Sequence, residues 1–96
     1  MNLAELVTNG EHLQSNLNEE HRNDILKWIK FSQLYIEKNY KELTFASQFC
    51  TTLEGMLQSI HMYRDYSDSL FSELLSSVKA CKEYEEFEEM MRNDSY

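Results

Sequence analysis

From Ile25 to Ile60 one heptad register holds for five repeats without a proline. With Ile29 as position a, the a sites are Ile29, Ile36, Leu43, Cys50 and Leu57, and the d sites are Ile25, Ser32, Asn39, Ala46, Leu53 and Ile60. A third row at g holds Trp28, Tyr35, Glu42, Phe49, Met56 and Tyr63. Apolar residues recurring with this period put one wide stripe on a helix, and nothing in the stretch breaks it. A stripe of a, d and g is wider than a two-stranded seam needs, so the helix must meet more than one neighbour. The expectation is a single long helix over about 24–63, with Asn39 at a d site helping to fix register.

The flanks read as shorter helices. Leu3, Leu6, Val7, Leu13 and Leu17 have helical spacing around a soft centre at Asn9-Gly10, which leaves open one bent helix over about 2–15 or two shorter ones. Asn16, Asn18 and Asn23 mark a polar corner before the long helix. The register fails at Arg64 and Ser67, where Arg64-Asp65-Tyr66-Ser67-Asp68-Ser69 supplies cap residues and polar core positions, so a turn is expected. A last helix then spans about 69–91, with Leu70, Phe71, Leu74, Val78, Cys81 and Tyr84 inward. A single helix through 64–68, about 100 Å long at 1.5 Å per residue, is the competing reading. The expected fold is all-α: a long antiparallel helical hairpin with a short N-terminal helix, a three-helix bundle with coiled-coil-like packing, in one domain over 1–96.

Charge is uneven. The net charge of −8 divides into −4 over residues 1–24, +2 over 25–64 and −6 over 65–96. Lys27, Lys30, Lys38 and Lys41 lie on the outer face of the long helix, where Glu37–Lys41 and Lys38–Glu42 have the i,i+4 spacing of supporting ion pairs. An acidic chain is repelled by phosphates and by anionic lipid, so neither nucleic acid nor membrane is an expected partner. Met1–Glu5 lacks the basic start and apolar run of a signal peptide, and no apolar run approaches a membrane span of roughly 20 residues. A cytoplasmic protein is expected, with Cys50 and Cys81 as buried thiols acting as small hydrophobes.

Motifs that carry chemistry are missing from the pattern. A di-iron bundle site needs Glu-x-x-His, yet Asn9, Asn18 and Gln58 stand three residues before His12, His21 and His61. Gly10 and Gly55 stand alone, so no glycine-rich loop cradles a phosphate, and no serine or cysteine is framed as a nucleophile. Neither catalytic residues, a metal nor a cofactor is expected. The expected function is a protein-interaction module: an adaptor, chaperone or subunit that docks helices against another protein or a second copy of itself. Trp28, Phe31, Tyr35, Phe45, Phe49 and Met56 are the candidate interface, because aromatic and Met side chains favour such surfaces.

The C-terminal stretch offers a second candidate. Glu83, Glu85, Glu86, Phe87, Glu88 and Glu89 form an acidic, aromatic docking segment, suited to inhibiting a nucleic-acid-binding protein by occupying its basic site. Acids at a helix C-terminus oppose its dipole, so this end is expected to fray unless docked.

Ile36-Glu37-Lys38-Asn39-Tyr40, with Asn9-Gly10-Glu11 upstream, resembles the Ile-Glu-x-x-Tyr element early in F-BAR membrane-bending domains. That resemblance, over residues 6–46, implies a helical domain that lies on anionic lipid through a basic surface. This chain departs from it in being short and acidic.

Overall fold

A computed structural model describes residues 2–40 and 44–93. Among them the chain is all-helical: α1 Leu3–Gln14, a single 3₁₀ turn Glu19–His21, α2 Arg22–Tyr40, α3 Thr44–Tyr63 and α4 Asp68–Asn93. Lys41, Glu42 and Leu43, and with them the expected pairs Glu37–Lys41 and Lys38–Glu42, lie outside the described residues.

The expected long helix over 24–63 is instead two helices, α2 and α3, that run back alongside each other. Arg22 Nη2 lies 3.2 Å from His61 Nδ1, whereas one continuous helix would separate these residues by about 58 Å at 1.5 Å each. At the other end Tyr40 and Phe45 pack with ring centroids 5.5 Å apart. A helix some 60 Å long would leave much of its three-row stripe uncovered, and doubling it back buries both halves against each other. The expected three helices thus become four, and the 100 Å alternative gives way to a molecule 54 Å along its longest axis.

Directions alternate. Gln14 donates to Ser72 and Lys79 pairs with Glu11 at 3.5 Å, which sets α1 antiparallel to α4. Thr52 Oγ1 donates to Glu73 at 3.3 Å, with α3 antiparallel to α4. Trp28 stacks on Phe71 at 4.8 Å and Tyr40 meets Tyr84 at 6.2 Å, so α2 and α4 run the same way. Leu6, Ile25, Ile29, Ile36, Phe49, Leu53, Met56, Ile60, Phe71, Leu74, Val78 and Cys81 join in one buried cluster between the helices.

Local chemistry explains the ends. Asn2 Oδ1 accepts from Glu5 N–H at 2.8 Å, and Asn18 Oδ1 accepts from His21 N–H at 3.2 Å. Each satisfies an amide that the first turn leaves open. Asn9-Gly10 does not interrupt α1; Gly10 is buried, and its missing side chain is filled by Trp28 and Leu75. The expected turn after α3 is present: Arg64 takes φ 51°, its N–H bonds to Ile60 O, and Ser67 Oγ then accepts from Leu70 N–H to start α4. At the same end Tyr66 donates to Glu19 and accepts from Arg22, tying the 3₁₀ turn and the start of α2 to the α3–α4 connection.

Candidate interaction surface

The core face of α4 runs through Phe71, Leu74, Leu75, Val78 and Cys81. One and two turns further that face carries Glu85, Glu88, Glu89 and Arg92, so the apolar core stops there. α2 also stops here, at Tyr40. Both Tyr35 and Tyr40 donate their hydroxyls to the same oxygen, Glu85 Oε2, and the two rings lie 6.3 Å apart. Burial, then the hydrogen bond to Glu85 and its negative charge, hold both phenols well above the ordinary tyrosine range. Cys81, one turn earlier, has its thiol pushed up to about 11 by burial and then by Glu85. This cluster clamps α4 to the end of α2.

Beyond the clamp α4 continues from Glu85 to Asn93, about 12 Å of helix at 1.5 Å per residue. Lys82 pairs with Glu86, and Tyr84 bonds to Glu88, each at i,i+4. At 100° per residue, Tyr84, Phe87 and Met91 extend the side of α4 that faces α3 through Leu70, Glu73 and Ser77. They are 51%, 54% and 55% exposed, as is the neighbouring Met90 at 55%. Tyr84, expected inward, is thus a surface residue, with its ring edge-on to Tyr40.

The sequence-predicted interface residues divide. Trp28, Phe49 and Met56 are buried in the chain's own core. These three turn inward because α2 and α3, folded back, face one another as well as α4. Tyr35 and Phe45 are half-buried, while Phe31 is 43% exposed. Asn39 is exposed and donates to Tyr35 O, so it sets no register in a core. Within the acidic segment, Glu85 is taken up by the two tyrosines and Glu86 by Lys82, while Glu88 and Glu89 line the hollow at the end of α2 with Lys38 and Tyr40, leaving Glu83 and Phe87 outward.

A second strip was missed in part. Lys27, Phe31, Leu34 and Lys38 follow one another at i, i+4, i+7 and i+11 on the outer face of α2, all exposed, with Leu34 at 49%. Leu34 occupies an f position, where an apolar residue is itself a signal of a second face. Phe31 and Lys27 also edge a hollow of about 280 Å³ between α1 and α2, floored by Trp28 and Leu13. That is a little below the roughly 300–1,000 Å³ of small-molecule sites, and its size suits a single inserted side chain. Among the described residues no group of three or more His, Cys, Asp or Glu converges as metal ligands, and no helix is long and apolar enough to cross a membrane.

Compared with protein-family models, with curated proteins and with solved structures, the chain matches none.

Proposed function

We propose that this chain is a protein-interaction module, an adaptor, chaperone or assembly subunit, that works by helix-on-helix packing of the coiled-coil type. Its docking element is the end of α4. The observation that carries this is the clustering of Tyr84, Phe87, Met90 and Met91, each more than half exposed, on the part of α4 that runs alongside and beyond the Tyr35–Tyr40–Glu85 clamp. Aromatic and Met side chains in an exposed helical stripe bury large apolar area when a second helix covers them. Glu83 and Glu88, on either side of them, select a partner helix with basic flanks. The working compartment in this reading is the cytoplasm, where Cys50 and Cys81, unpaired here, stay reduced.

The test is a titration of the full chain into a labelled amphipathic helical peptide of leucine and lysine, followed by anisotropy. Replacing Phe87 and Met91 by Glu adds negative charge while removing apolar area, so non-specific attraction to a cationic peptide can only grow. Specific docking predicts at least tenfold weaker binding for that variant; unchanged or tighter binding would overturn the docking element.

The exposed carboxylates support a second reading, an acidic inhibitor that covers the basic site of a nucleic-acid-binding protein. In that case neutralising Glu83, Glu88 and Glu89 to Gln abolishes binding to a basic protein, salt weakens it steeply, and the Phe87 and Met91 changes do little. The F-BAR-like reading draws no support from this end of the molecule, since anionic lipid repels it.

A further inference from the structure

The two exposed strips are complementary in sign. The end of α4 sets Phe87 and Met91 between Glu83 and Glu88, and the outer face of α2 sets Phe31 and Leu34 between Lys27 and Lys38. Both are helical stripes, both have an apolar centre, and their charged rims are opposite. We infer that the occupant of the α4 end is a second copy of this chain, seated through the outer face of α2, which names the partner within the proposed interaction function and rests on it.

Like-with-like pairing fails on charge. Two α4 ends facing each other would set glutamates against glutamates, and two α2 faces would set lysines against lysines, whereas the crossed arrangement pairs them. The net charge of −8 on each copy repels at long range, but at physiological salt the Debye length is about 8 Å, so distant charges are screened while rim pairs in contact are not. Tyr84, Phe87, Met90 and Met91 at the end of α4 are more than half exposed, so they are open to another molecule. Each copy gives one end and receives one, a heterologous contact that closes into a ring or extends.

The experiment uses full chains at physiological salt and light scattering over a concentration series. The unmodified chain is expected to exceed its one-chain mass of 11.5 kDa as concentration rises. A chain with Phe87→Glu and Met91→Glu, and a chain with Phe31→Glu and Leu34→Glu, are each expected to stay at one-chain mass. Mixed in equal amounts they recover a two-chain species and nothing larger, because only one intact end and one intact face remain per pair. All four positions are exposed, and circular dichroism checks that both variants fold. Should the face variant misfold, Lys27→Glu with Lys38→Glu takes its place, with association weakened at least tenfold. A monomeric unmodified chain overturns the inference, as does association of that chain when the mixed variants do not pair. If the unmodified chain stays monomeric yet binds the leucine–lysine peptide through its α4 end, the interaction function stands and only the choice of partner falls; loss of both overturns both.

Discussion

Trp28 Nε1 donates to the carbonyl oxygen of Leu6 at 2.8 Å, inside the core. The indole lies over Gly10, where an added Cβ would come within 2.8 Å of Trp28 Cζ2 and 2.6 Å of Leu75 Cδ1. One residue without a side chain thus lets α1, α2 and α4 meet, and the hydrogen bond satisfies the only polar atom of the buried indole.

Gly10→Ala therefore tests the packing directly. Alanine gains up to about 1 kcal/mol of helix propensity over glycine, while overpacking a core costs about 1–3 kcal/mol. Because Trp28 is held by its hydrogen bond, we expect a net loss of about 1–2 kcal/mol, read as a lower urea midpoint by tryptophan fluorescence. A midpoint at or above that of the parent would show that the indole yields freely.

Ser32 is fully buried on α2, and its hydroxyl has no hydrogen-bond partner among the described residues. An unsatisfied buried polar group costs about 1–3 kcal/mol. Ser32→Ala removes it and suits a helix better, so stability should rise by about 1 kcal/mol in chemical denaturation. A fall would mean that the hydroxyl is satisfied in solution.

The Tyr35–Tyr40–Glu85 cluster sets the response to alkali. Both phenols are raised from an ordinary value near 10, and Cys81 from 9.0 to about 11, so the folded chain holds these protons more tightly than the unfolded one. The stabilisation is complete below the unfolded values and is lost as pH rises through the folded ones. Unfolding free energy should be level up to about pH 8–9 and decline above it. Tyr40→Phe should flatten that decline and cost about 1.5–3 kcal/mol at neutral pH, the worth of a hydrogen bond to a charged group. An unchanged alkaline slope in the variant would sever the link.

The two thiols should differ in accessibility. Cys81 is buried behind the clamp, whereas Cys50 is half-buried beside Leu34 and Lys38 between α2 and α3. Burial, then Glu37 and Glu54, raises Cys50 as well, so neither is an activated nucleophile. With a thiol-specific disulfide reagent we expect Cys50 to react slowly in the native state and Cys81 only on unfolding. Equal native rates would contradict the burial of Cys81.

The sequence by itself determined what depends on neighbours along the chain. Heptad spacing without proline specifies helix; Asn2, Asn18 and Ser67 supply caps; and polar Arg64 and Ser67 at core positions mark the last reversal. It also marked the acidic, aromatic end of α4 as a segment apart. What it left undetermined is the reversal between α2 and α3. Ile36 and Ala46 face the core in the same register whether the helix continues or doubles back, because a heptad reports which face is apolar and not what covers it. Only the tertiary structure decided that. The fold-back brought Arg22 to His61, turned Trp28, Phe49 and Met56 inward, and left α4 longer than its neighbours. Exposure is a property of the assembled helices, since the same apolar side chain is core under one neighbour and surface under none.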